Sequence, residues 1–241
     1  MSKKYFFPSE PSPAADKPIK NFLPPGYTSA AIVFHPFVRM PLNWKPEKSH
    51  TPHMLFPVKE DTLLFGTPVS WEAVRKETGM NSIKELAIGL YMWIGGIYHE
   101  KAKPEIYKKL KDVIGISLFP PKEDQLSELV IQSFLEVIRC SGSRTVHFEK
   151  ITDGSGSLVI DEMTTEDMLY LCEEPISLYD EKEDYIFTCY FDEPYSFIIG
   201  KRDIEGLCQN IGWEGIVCDE NTTHAWFLKE KELKQFYSKD E

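Results

Sequence analysis

Hydrophobic positions fall into three regimes along the chain. Residues 1–68 show no sustained helical period, because prolines arrive every few residues. Each proline removes a backbone donor and biases its predecessor away from the helix. The one strand-like run here is 30–34, Ala-Ala-Ile-Val-Phe. Residues 69–142 carry a helical period instead. Ser70 is placed to cap a helix over 71–78, and Gly79 suits its left-handed stop. Asn81 or Ser82 caps a second helix from 83 to about 99, with Ile83, Leu86, Ala87, Leu90, Ile94, Ile97 and Tyr98 on one face. Gly89, Gly95 and Gly96 weaken its propensity, so close backbone packing is expected to compensate. Pro104 opens a third helix ending near Gly115. A fourth, from about 124 to 139, carries Leu126, Leu129, Val130, Phe134, Val137 and Ile138 as its apolar stripe.

From residue 143 onward strands and turns alternate. Runs 145–150 and 157–161 flank Asp153-Gly-Ser-Gly156, a predicted hairpin. A short helix capped by Thr164 or Thr165 follows. Runs 176–179 and 185–191 flank a charged turn and form a second hairpin. A helix over 202–211 stops at Gly212. Runs 215–219 and 224–228 predict a third hairpin, and a charged helix over 230–237 finishes the chain. The pattern specifies an α+β fold: a helical N-terminal and middle part packed on an antiparallel sheet formed mainly by the C-terminal third.

Domain organisation follows from composition. Twelve of the 17 prolines lie in residues 1–68, beside ten aromatic residues, more than a solvated linker would carry. Residues 1–20 are expected to be a flexible tail and 21–241 a single α+β domain: a Pro-rich wrapping arm (21–68), a helical part (69–142) and an acidic hairpin-rich part (143–241).

Charge sharpens the division. The formal net charge of −11 resolves into +3 over residues 1–68, +1 over 69–150 and −15 over 151–241. A phosphate backbone would be repelled by the last zone, so nucleic acid is not expected as a partner; a basic protein or a bound cation fits better, and solubility alone would also explain the acidity. The Met1-Ser-Lys-Lys start lacks the apolar stretch of a signal peptide. The longest uncharged apolar run, 86–98, has 13 residues, short of the ~18 a bilayer needs. No membrane span and a cytoplasmic location are expected. Five cysteines, odd in number and without a CxxC spacing, read as reduced thiols packed as small hydrophobes.

Chemistry candidates are few. Gly154-Ser-Gly156 lacks the spacing of a phosphate-cradling loop and reads as a hairpin turn. His50 and His53 could share a metal, with Glu60 or Asp61 as a third ligand, but Pro52 blocks a helix there; two loop histidines and no metal is the better reading. Cys218 and His224 would face each other across the third predicted hairpin, the minimum for a thiolate nucleophile. Trp226 beside His224 argues that this face is simply buried. The carboxylate pairs, Asp161-Glu162 through Asp192-Glu193, read as solvated charge at turns. Trp44, with Phe37, is the candidate interface anchor in the arm. No cofactor is indicated.

Two stretches carry a resemblance: Pro24-Pro-Gly-Tyr-Thr-Ser-Ala-Ala-Ile-Val-Phe-His-Pro-Phe37, and Asn210-Ile-Gly-Trp-Glu-Gly-Ile-Val-Cys218 with His224-Ala-Trp-Phe227. They resemble an uncharacterised bacterial family, the domain of unknown function 2711. The resemblance implies one family unit over nearly the whole chain and a bacterial cytosolic origin, and it brings no activity and no catalytic residues. From the residues themselves, the leading expectation is a non-catalytic protein-interaction module of inhibitor or immunity type, whose acidic surface meets a basic partner. The alternative is an enzyme, a hydrolase or transferase, with a non-contiguous site in a pocket between arm and sheet. A third reading joins two copies as a homodimer through the N-terminal arm.

Overall fold

The computed structural model describes residues 17–45, 56–97, 101–115, 117–152, 154–189, 192–229 and 233–237. Among these the chain divides into two compact units, one from stretches 1–35 and 122–241, the other from 36–121. In chain order the elements are β1 (Ser29–Phe34), β2 (Phe37–Arg39), α1 (Lys59–Phe65), β3 (Thr67–Val69), α2 (Trp71–Thr78), α3 (Ile83–Trp93), α4 (Pro104–Lys111), β4 (Leu118–Phe119) and α5 (Ile131–Cys140). There follow β5 (Thr145–Lys150), β6 (Ser155–Val159), α6 (Thr165–Tyr170), β7 (Ile176–Asp180), β8 (Tyr185–Cys189), β9 (Tyr195–Gly200), α7 (Glu205–Ile211), β10 (Gly215–Val217) and β11 (Lys234–Phe236). The fold is α+β, with a large antiparallel sheet built mostly from the C-terminal part.

In the smaller unit the local signals read from the sequence hold. Ser70 Oγ accepts from Ala73 N at 3.1 Å at the start of α2, and Gly79 ends it at φ 63°. Ser82, not Asn81, caps α3, accepting from Glu85 N. Asn81 N donates back to the Glu85 carboxylate, so the two ends of the cap satisfy each other. A Cβ on Gly89 would lie 3.3 Å from Ile106 and 3.4 Å from Leu110, which is the close approach of α3 and α4 that the glycine permits. α3 ends at Trp93 rather than near 99. The structure also adds α1 inside the arm, where prolines hid any helical period.

The larger unit holds an eight-stranded sheet in the order β11-β10-β1-β9-β8-β7-β5-β6. β1, the arm's one predicted strand, pairs antiparallel with both β9 and β10. Its residues 30–34 are all buried, as a strand covered on both faces requires. β9 (Tyr-Ser-Phe-Ile-Ile-Gly) is likewise buried throughout and does not alternate, which is why period-2 reading passes over it. On one sheet face Ala31, Val33, Val146, Phe148, Leu178, Phe187 and Ile198 join a single core with Ile131, Phe134, Leu135 and Ile138 of α5 and Cys208 of α7.

Three predicted elements are corrected. The fourth helix begins at Ile131, not at 124, because Asp124 adopts φ 64°, outside the helical region; Leu126 and Val130 still reach the core. The third hairpin does not form: β10 pairs with β1 and β11, while Trp226–Leu228 is a 3-10 turn. Within the predicted closing helix, Lys234–Phe236 is strand β11, held by β10 in the register Gly215↔Phe236. At the other end, Ile19 N donates to Thr222 C=O and its side chain is fully buried, so the described residues 17–20 pack on the larger unit.

Candidate functional site

The hairpin expected to set Cys218 opposite His224 does not form. Cys218 lies just past β10, its N–H bonded to Ala30 C=O at 2.9 Å, and burial pushes its thiol far above the ordinary range. His224 sits in the following loop. Its Nδ1 is 3.8 Å from Glu193 Oε1, and its ring meets the edge of Phe197 at 5.3 Å. Without the hairpin, no strand alternation places the two side chains opposite one another. His50 and His53 lie outside the described residues. Of their suggested third ligands, Asp61 accepts a hydrogen bond from Trp44 Nε1 at 2.8 Å. Trp44 also sets its ring edge-on to Phe119 and is half-buried. Phe37 is fully buried with its ring edge-on to Trp71. Among the described residues no group of three or more His, Cys, Asp or Glu side chains is placed to hold a metal ion, and no helix is long and apolar enough to cross a membrane.

The acidity of the C-terminal zone has a definite place. Residues 151–181 contain nine Asp and Glu and no Lys or Arg. Several of these carboxylates are consumed by the fold. Asp167 closes a capping box with Thr164 at the start of α6. Asp180 is fully buried and accepts from Tyr185 N at 2.9 Å, while Glu181 accepts from Thr145 N at 3.0 Å. Lys150, at the end of β5, is buried against Glu173 and Glu174 with its ammonium 3.2 Å from the Tyr170 ring centroid. Lys150 is therefore already ion-paired within the fold. Asp161, Glu162, Glu166 and Glu173 are exposed around β6, the last strand of the sheet; Asp161 lies 3.5 Å from Arg139 Nη1 and Glu173 pairs with Lys150.

A second ionisable cluster forms at the far end of β9. Asp192 N donates to Asp124 Oδ1 at 2.6 Å, and both residues take left-handed φ (61° and 64°). Glu123 is pushed up to about 7, chiefly by burial and then by the charges of Asp124, Asp192 and Glu193. A carboxyl titrating near neutrality is suited to proton transfer. On β9, Ser196 Oγ shares a 2.7 Å hydrogen bond with His35 Nε2, both fully buried; burial holds the imidazole down at about 3, so it is neutral. Sequence reading missed this cluster because Glu123-Asp124 and Asp192-Glu193 lie 68 residues apart and each dipeptide alone resembles solvated turn charge.

A stability test follows for Glu123. The folded chain holds its proton more tightly than the unfolded chain, where the group titrates near 4.5. The carboxylate therefore costs stability as pH rises through that window, and the cost is complete above about 7. Glu123→Gln is expected to raise stability by on the order of 1 kcal/mol near pH 8, after allowance for solvent screening, and to have little effect near pH 5. Thermal midpoints at the two pH values check this; equal gains at both would show that charge is not the cause.

A family model described as "Protein of unknown function (DUF2711)" matches residues 15–228. The Uncharacterized protein YwbB of Bacillus subtilis (strain 168) is 31% identical over 215 residues, covering 88% of this chain and 96% of the relative. No solved structure matches.

Proposed function

Because the chain belongs to the DUF2711 family of proteins of unknown function, whose description names no reaction, we propose on physical grounds that it is a non-catalytic interaction module of inhibitor or immunity type, whose acidic surface receives a basic protein partner. One observation carries the reading: a 31-residue stretch with nine carboxylates and no lysine or arginine folds so that four of the carboxylates stay exposed around a sheet edge. A field of one sign steers an oppositely charged partner and rejects like-charged ones.

The test is binding of the full chain to lysine-rich and glutamate-rich peptides over about 20 to 500 mM NaCl. Lysine-rich peptides are expected to bind, to weaken with salt, and to lose about tenfold in affinity when Glu162→Lys and Glu166→Lys are combined. Binding that ignores both salt and charge reversal would remove the electrostatic basis. The enzyme reading, a hydrolase or transferase with a non-contiguous site, is favoured by the near-neutral titration of Glu123. Native mass spectrometry separates the two: a small molecule that co-purifies with the wild type and is lost in Glu123→Gln would support the enzyme, and an apo mass in both supports the interaction module.

A further inference from the structure

We propose that β6 is the docking edge of this protein, and that its occupant is an extended basic segment of a partner, which adds to the sheet as a ninth strand. The inference rests on the interaction reading above and supplies its place and backbone geometry.

β6 is the terminal strand beyond β5. Lys150 N donates to Gly154 C=O at 2.8 Å, and Ile160 N donates to Arg144 C=O at 2.9 Å. In an antiparallel pair, residues that exchange hydrogen bonds alternate with residues that do not. With Phe148 opposite Gly156 and Val146 opposite Leu158, these two positions of β6 bond inward to β5. Their neighbours point the other way. The N–H and C=O groups of Ser155 and Ser157 and the N–H of Val159 therefore line the outer edge, and among the described residues no strand pairs with them.

Sheet edges are ordinarily protected by lysine, proline, bulges or an overlying element. This strand, Ser-Gly-Ser-Leu-Val, has no charge and no proline; Ser155, Gly156 and Ser157 are exposed and Val159 is 44% exposed. Its core-facing side is closed, since the Phe148 ring occupies the space where a Cβ on Gly156 would sit. What remains open is the edge itself, a row of donors and acceptors at strand spacing. Asp161 and Glu162 follow the strand directly, with Glu166 on α6 and Glu173 beyond it. A second copy of this chain would bring those carboxylates against one another, whereas a strand bearing lysine or arginine pairs with them. Charge complementarity thus selects a basic partner strand over self-association.

The experiment titrates the full chain with a blocked alternating valine–lysine octapeptide, and follows amide hydrogen exchange residue by residue. Binding is expected to slow exchange of the Ser155, Ser157 and Val159 amides by at least about tenfold. Ser157→Pro removes an outward donor while leaving the inward ladder to β5 intact, as an edge proline can. It is expected to weaken binding about tenfold or more with the thermal midpoint nearly unchanged. Ser157→Lys, which keeps the donor and adds a like charge, is expected to weaken binding too, and it serves if the proline variant fails to fold.

Peptide binding without protection of these three amides, and with Ser157→Pro binding as tightly as wild type, would overturn the edge proposal and leave the acidic-surface reading standing. Failure of the cationic peptide to bind at all would overturn both. Protection of the same amides without peptide, rising with protein concentration, would assign the edge to a second copy and overturn the basic-partner proposal.

Discussion

Phe134→Ala is expected to cost about 3–5 kcal/mol, a large part of the stability of a domain of this size. Phe134 is fully buried on α5, stacked on Phe187 of β8 at 4.4 Å between centroids and edge-on to Trp213 at 5.0 Å; Trp213 in turn lies 5.7 Å from Phe187. The three rings come from a helix, a strand and a loop, so truncating the first removes contacts across the whole layer between helix and sheet. The void cannot close cheaply, because Trp213 Nε1 donates to Ser133 Oγ at 2.8 Å and this hydrogen bond pins the indole beside the gap. Denaturant unfolding followed by tryptophan fluorescence reads the loss. Phe134→Leu, which refills much of the volume, is expected to recover more than half of it. A loss below about 1 kcal/mol for the alanine variant would mean that this aromatic layer does not hold helix to sheet.

Gly215→Ala is expected to cost about 2–4 kcal/mol although it adds only one methyl group. A Cβ at this position would stand 1.9 Å from the Ile32 carbonyl oxygen and 2.6 Å from the Phe236 ring. The oxygen belongs to β1, the strand on one side of β10, and the ring to β11 on the other. A flexible side-chain tip could swing away, but a backbone carbonyl held in the middle of a sheet cannot. Relief therefore requires β10 to part from β1. Cys218 sits one residue past β10 and bonds to Ala30, so its buried thiol should react with iodoacetamide faster in the variant. The control is the same substitution at Gly206 on α7, where a Cβ meets nothing within 4 Å and helix propensity predicts a gain of about 0.5–1 kcal/mol. Equal effects at the two glycines would contradict the close strand approach.

How much was legible depended on whether a signal was local. The caps at Ser70 and Ser82, the stop at Gly79 and the start at Pro104 were readable because each acts within one helical turn. β5, β7 and β8 were readable as strands bounded by turn residues. β9 was not, because a strand buried on both faces has no alternation to detect. The helix begun too early at Asp124 shows the same limit. Periodicity marks Leu126 and Val130 as inward-facing, and they are, but it cannot reveal that Asp124 turns left-handed to meet Asp192. Of the candidate site, the acidity around residues 151–181 was visible as composition. The open edge of β6 was not, since a strand's place in the order depends on partners elsewhere in the chain.

The sequence by itself determined the class of the fold, the positions of most helices and hairpins, and the placing of the net negative charge in the C-terminal zone. All of these rest on interactions between near neighbours or on simple counts. Only the tertiary structure decided that the strand predicted at 30–34 lies inside the sheet between β9 and β10, that Cys218 is buried beside β1, and that Glu123 is gathered with carboxylates from the β8–β9 turn. The physical reason is the same in each case. Burial, strand pairing and the charge around a group are set by residues far away along the chain, and those pairings are chosen by how the whole core packs.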